Sequence, residues 1–174
     1  MEIHNVEIKA KVSENQYQKI KQYLDMRATV SKGEDTQHDH YFYTKKGKLK
    51  LRIGNIENSL IYYDRTEVKG LKNSKITLHK VHGDPHSLLD ILSKTQDLIK
   101  IIKKQRRIYF IDNVKFHLDR VQGFGTFAEI EAISENNAIE KKTLQEQCLT
   151  YMEIFGLNNE MLVDKSYADM TPSN

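Results

Sequence analysis

The stretch NVEIKAKV, residues 5–12, decides the fold. Taken in twos, Val6, Ile8, Ala10 and Val12 fall on one face and Asn5, Glu7, Lys9 and Lys11 on the other, the period of a β-strand. An ordinary half-buried strand turns small polar residues to water. This one turns an acid and two bases to its second face, which is either a solvated exterior or the wall of something that binds charge.

The same two-faced pattern recurs along the chain. Leu49, Leu51 and Ile53 alternate with Lys48, Lys50 and Arg52; Arg65 stands two residues from Tyr63; Lys104 and Arg106 share the face of Ile108 and Phe110. Lys115, His117 and Asp119 line up, as do Glu129 and Glu131 opposite Ala128, Ile130 and Ala132. Between these runs, TKKG, GNIEN, KGLKN, Asp112-Asn113 and QGFG supply turn residues, so the strands are expected to pair antiparallel through short connections. Ser13 and Gln16 form a capping box ahead of Tyr17, Ile20 and Leu24, which predicts a helix over about 14–26. Asp84-Pro85 opens a second helix carrying Leu88, Leu89, Ile91 and Leu92. A third, over about 138–155, carries Leu144, Cys148, Tyr151, Met152 and Phe155 on one side and ends at Gly156. Eight strands and three helices give an α+β class, and long antiparallel strands with few breakers favour an eight-stranded antiparallel β-barrel with flanking helices. If the charged faces point inward, the three helices are there to cover the apolar outside.

The 174 residues suit one domain, expected over 1–170, with 171–174 a frayed tail. The single cysteine, Cys148, excludes a disulfide framework and is expected in the core. With no leader pattern and no apolar run near 18 residues, the expectation is a cytoplasmic protein with no membrane partner. Net charge is only +3, so the signal lies in local sorting. Acids gathered in one lumen repel unless a cation sits between them, hard oxygen donors suit magnesium or manganese, and facing bases suit a polyphosphate.

These runs resemble the CYTH superfamily, the triphosphate tunnel metalloenzymes. NVEIKAK resembles the amino-terminal E-x-E-x-K signature, and LKLR, IYYDR, KKQRRIYF, FHLDRVQGFGTFAEIE and KSY follow in the family's order over nearly the whole chain. The block from KKQRRIYF through AEIE looks most like class IV adenylyl cyclases and their relatives. The resemblance implies an eight-stranded tunnel that takes a nucleoside triphosphate or inorganic polyphosphate lengthwise with Mg2+ or Mn2+. By position, it makes Glu7, Asp119, Glu129 and Glu131 metal ligands, and Lys9, Arg52, Arg65, Lys104, Arg106 and Lys165 substrate-binding bases. Glu7, Lys9, Glu129 and Glu131 would carry catalysis. The first signature glutamate is Asn5 here, so one metal position is expected to bind more weakly or to be lost.

The implied activity is an adenylyl cyclase, ATP going to cyclic AMP and pyrophosphate. Its rivals are a triphosphatase acting on tripolyphosphate, thiamine triphosphate or a nucleoside triphosphate, and a binding module without turnover. His38, Asp39 and His40, and His79, His82 and His86, lack the cysteine support of a zinc site. The basic runs KGLKNSK and KIIKKQRR lack interleaved aromatics, so no specific nucleic acid is expected. An exposed barrel side or helix could support a homodimer.

Overall fold

Eight strands close into an antiparallel barrel in the order β1-β5-β4-β3-β2-β6-β7-β8, β1 pairing with both β5 and β8. The computed structural model describes residues 2–65, 70–135 and 138–172, with the side chains of 2–4, 65 and 73–75 outside the description. The strands are β1 Glu2–Val12, β2 Val30–Phe42, β3 Lys48–Ile53, β4 Ser59–Arg65, β5 Lys72–Lys80, β6 Leu98–Ile111, β7 Val114–Val121 and β8 Gly125–Glu135. The helices are α1 Glu14–Arg27, α2 Pro85–Thr95 and α3 Lys141–Ile154, and a single 3₁₀ turn spans Tyr167–Asp169.

The opening strand is buried on both faces. Val6, Ile8, Ala10 and Val12 point out into the main core, beneath Tyr17, Ile20 and Leu24 of α1 and Leu144 and Cys148 of α3. Asn5 and Lys9 are buried too, on the side that faces the barrel lumen. Closure explains this: the inner wall of a small barrel is filled by side chains, while its outer wall needs helices against it. Cys148 sits in that outer core, where burial pushes its thiol up to about 12. At the start of α1 the capping box is half formed. Ser13 accepts from the Gln16 amide, but the Gln16 side chain instead donates to Phe155 O and Gly156 O, joining α1 to the end of α3.

β2 runs well ahead of its aromatic end, back to Val30, with Asp35, Gln37 and Asp39 turned inward and buried. The expectation that all three helices cover the apolar outside needs correction. None of the α2 side chains is fully buried and Ile91 is 57 % exposed, so the main core is built from α1 and α3 against the outer wall, without α2. No helix among the described residues is long and apolar enough to cross a membrane.

A second apolar cluster closes one end of the barrel from within. Tyr41, Ile102, Val121, Phe124, Phe127 and Tyr167 pack together, with Val163, Ala168 and Met170 behind them. Lys100 donates to the carbonyls of Ala168 and Met170, and Lys48 pairs with Ser166 and Asp169, so the carboxy-terminal segment is tied across this mouth.

Candidate functional site

The pairing register sets the lumen wall. Directly opposed residues share a face, so Glu7 faces Glu131, Lys9 and His117 flank Glu129, Arg106 faces Asp119, and Arg52 faces Asp39. Three groups of charge result.

The first is centred on Asp39, which is fully buried at 0 % exposure. Arg52 grips it bidentately at 2.8 and 3.0 Å, and Lys50 and Lys104 each donate to it at 2.9 Å. Burial works to raise the Asp39 carboxyl, but Arg52, Lys104 and Lys50 together hold it well below the usual range. The cations bear the strain of outnumbering their acid. Burial brings the Lys50 ammonium down to about 8, and burial with Arg106 nearby brings Lys104 well below the lysine range.

The second group centres on Arg106. Its guanidinium donates to Asp119 through Nε at 2.7 Å and again through Nη2, and also reaches Glu129 at 3.0 Å. Lys9 pairs with Glu129 at 3.2 Å, and Tyr167 donates to Asp119 at 2.8 Å while its ring lies 4.1 Å below the Lys9 ammonium. His117 contacts Glu129 at 3.0 Å through Nδ1. An ionised carboxylate only accepts, so Nδ1 carries the proton and Nε2 keeps a lone pair. That Nε2 is buried with no hydrogen-bond partner. Burial, then Arg106 and Lys115, lower the His117 pKa to about 3, so the ring stays neutral.

The third group lies around Glu131. Asn5 donates to it at 2.6 Å through Nδ2, leaving the buried Asn5 Oδ1 without a partner. Burial raises the Glu131 carboxyl, and Glu7 across the ladder adds to this, against the pull of Lys115 and Asn5. Among the described residues no three of His, Cys, Asp and Glu gather into a metal-holding cluster. The Asn5 Oδ1, Glu7 and Glu131 nonetheless fit a hard divalent cation: all are oxygen donors, one is an orphaned buried acceptor, and burial with Glu7 opposite disfavours the charge of Glu131. Asp119 and Glu129 have their oxygens on Arg106, Lys9, His117 and Tyr167.

Of the expected bases, Lys9, Arg52, Lys104 and Arg106 are buried together in the lumen. Lys165 is exposed; Tyr167, two residues on, is the one that enters the barrel. The Arg65 side chain and residues 66–69 lie outside the described residues, as do residues 173–174 of the expected tail.

At the end away from the carboxy-terminal segment, the β3–β4 loop crosses the lumen. Asp35 holds it by accepting from the Ile56 and Glu57 amides at 2.8 and 3.0 Å and from Gln37 at 2.7 Å. Gly54 lies so close that an added Cβ would stand 2.5 Å from Asp35 Oδ1. Gly54→Ala is expected to lose about 1–3 kcal/mol of stability through this crowding, seen as a lower melting temperature. An unchanged melting temperature would mean that Asp35 yields at no cost.

Sequence reasoning placed His117 on the charged face with Lys115 and Asp119 but missed Asp35, Glu57 and Tyr167 as lumen residues. The inward parity of Asp35 was available from Asp39, four positions along the same strand face. Glu57 and Tyr167 come from segments with no strand period, and nothing local announces them.

The comparisons agree with this geometry. A conserved hypothetical protein from Pyrococcus furiosus superposes with a TM-score of 0.79 at 20% identity, over 96% of this chain and 99% of that one. A candidate adenylate cyclase from Vibrio parahaemolyticus gives 0.72 at 18% identity, over 94% of each chain. A candidate adenylyl cyclase from Hippeastrum, described as having a dominant triphosphatase activity, gives 0.68 at 14% identity, over 97% of this chain and 93% of that one. At these identities the likeness establishes a shared fold. Comparison with curated proteins gives no match. The CYTH domain profile matches residues 4–167, nearly the whole barrel and the segment that plugs it, and the chain therefore belongs to the CYTH domain family.

Proposed function

We propose that this chain is a metal-dependent enzyme that takes a triphosphate into its barrel lumen, with cyclisation of ATP to cyclic AMP and pyrophosphate as its reaction. One observation carries the reading: Lys50, Arg52 and Lys104 converge on the carboxylate of Asp39 inside the barrel, and only Arg52 reaches a second acid, Glu57 at 3.3 Å. Buried cations in excess of their acids are costly, and a polyanion is the ligand that relieves them.

In this reading Lys50, Arg52, Lys104 and Arg106 bind phosphate oxygens and stabilise charge growing on the pyrophosphate leaving group. Asp119 and Glu129 fix the Arg106 plane and hold Lys9 beside it, which keeps the bases preorganised. A magnesium or manganese ion, when bound by Glu7, Glu131 and the Asn5 amide oxygen, supplies neutralisation of phosphate oxygens and alignment of the reacting groups. The ribose 3′-hydroxyl attacks the α-phosphorus and gives up its proton to water, while the phosphoanhydride bond breaks and its electron pair leaves with pyrophosphate. The His117 Nε2 lone pair accepts a hydrogen bond from whatever lies against it.

A triphosphatase is the second reading. The lumen aromatics Tyr41, Phe127 and Tyr167 are packed on one another in the plug, so the charged layers recognise phosphate rather than a base. In that case water attacks the terminal phosphorus, its bond to the bridging oxygen breaks, and the diphosphate leaves with that electron pair while the water's proton passes to solvent.

The test is to incubate the purified protein with ATP and manganese, then with tripolyphosphate and magnesium, and resolve the products by chromatography. Cyclic AMP with pyrophosphate is the expected result. Free phosphate would move the chain to the triphosphatases, and binding in calorimetry without product would make it a binding module.

A further inference from the structure

Glu57 is the lumen acid that stands on a loop. Asp39, Asp119, Glu129 and Glu131 project from barrel strands, whereas Glu57 belongs to the β3–β4 connection. Its carboxylate reaches Lys115 of β7 at 2.8 Å through Oε1 and Arg52 of β3 at 3.3 Å through Oε2. In the ring of strands β3 and β7 are separated by β2 and β6, so one carboxylate spans the cavity and joins opposite walls.

Arg52 does not depend on it, because it keeps its bidentate grip on Asp39. Lys115 stands opposite Glu131 in the ladder, but among the described residues its one acid partner is Glu57, so a ligand that takes the place of Glu57 must itself supply negative charge to Lys115. The contact to Arg52 is also longer than either of that arginine's bonds to Asp39. The backbone beneath Glu57 is fixed separately: Asp35 accepts the Ile56 and Glu57 amides, and the Asn58 side chain accepts the Gly54 amide. The side chain is 18 % exposed, at the edge of solvent. The loop is thus pinned while its acid tip is free to swing outward without unfolding a strand.

We propose that Glu57 is a displaceable stand-in for a phosphate group, holding Arg52 and Lys115 in the free protein and giving them up to an anionic ligand. This rests on the reading of the lumen as a triphosphate site. Occupancy by Glu57 lowers the fraction of molecules ready to bind and so weakens the apparent affinity by that fraction. It also selects against small anions such as sulfate, which carry less charge than a triphosphate with which to displace a carboxylate bonded to two cations.

The experiment compares the wild type with Glu57→Gln by calorimetry, using inorganic tripolyphosphate and then inorganic sulfate. Glu57→Gln is expected to bind tripolyphosphate about tenfold tighter. It is also expected to gain thermal stabilisation by sulfate that the wild type lacks. Equal or weaker binding of both anions would overturn the proposal and make Glu57 a ligand or a purely structural brace. If the wild type binds no tripolyphosphate, the triphosphate reading fails, but the sulfate comparison still decides the role of Glu57. Should Glu57→Gln fail to fold, Glu57→Asp decides in its place. One methylene shorter, it cannot span both cations, and the same tightening is expected.

Discussion

Replacing Arg106 with alanine is expected to cost the fold about 3–5 kcal/mol, enough to lower the melting temperature by roughly 10 °C. The guanidinium is buried and is the shared partner of Asp119 and Glu129. Removing it leaves Asp119, at 0 % exposure, with Tyr167 alone, and Glu129 with Lys9 and a neutral His117. Arg106 therefore makes the acidic side of the lumen tolerable. Burial works to raise both carboxyls, and Arg106 is the foremost group holding them below their usual range. Acids depressed in this way add stability above their unfolded pKa values of about 4, and the stability is lost as pH falls through the folded values. In the variant that contribution is gone and the orphaned acids take up protons more readily. The deficit should therefore be largest at neutral pH and narrow as the solution is acidified. Denaturant melts of both proteins across that range would measure it. A constant deficit would mean that the loss is one of packing. Adding Asp119→Asn to Arg106→Ala should restore part of the stability, because it removes the carboxylate left without its arginine.

How the barrel could be read from its strands shows where sequence reasoning reaches. In β1, β7 and β8 the outward positions are apolar and the inward ones charged, so alternation is visible: Val6 against Glu7, Phe116 against His117, Ile130 against Glu129. The first half of β2 has no such contrast. Thr36 and His38 face out and Asp35, Gln37 and Asp39 face in, polar on both sides, because this stretch of lumen wall is stabilised by hydrogen bonds and ion pairs rather than by apolar contact. A buried polar residue looks like a surface residue until the partner across the barrel is known. The opposite error arises at α2, where Leu88, Leu89, Ile91 and Leu92 have the spacing of a buried face yet bury no side chain. Periodicity reports an apolar face; it does not report whether anything lies against it. Lys165 and Tyr167 make the same point at closer range. A lysine two residues from the lumen was the natural choice for a phosphate site, but the residue that enters is an aromatic whose hydroxyl and ring serve Asp119 and Lys9.

Lys104→Met is expected to move stability and binding in opposite directions. Lys104 is one of three cations on Asp39, and burial with Arg106 nearby disfavours its charge. Removing it leaves Asp39 with Lys50 and the bidentate Arg52, so the carboxylate stays satisfied and the fold should gain about 1 kcal/mol. The same change removes a donor the phosphates would meet, and tripolyphosphate affinity should fall by about 100-fold, within the range for truncating one partner of a buried charge pair. The pH dependence follows from the same groups. Lys50 titrates at about 8 in the free protein against a usual lysine value of 10.5. Between those values the unfolded chain holds more protons, so this group makes stability rise with pH across the window, with no further gain above it. Binding runs the other way. Phosphates favour the charged ammonium, so tripolyphosphate should take up protons on binding and its affinity should fall as pH rises through about 8. Calorimetry in two buffers of different ionisation enthalpy would measure the uptake directly, and Lys104→Met should reduce it. If the variant instead melts lower while its affinity is unchanged, Lys104 is Asp39's structural partner and the surplus of charge lies elsewhere. If it melts higher and binds weakly, the lumen is built against its own stability for the sake of a polyanion.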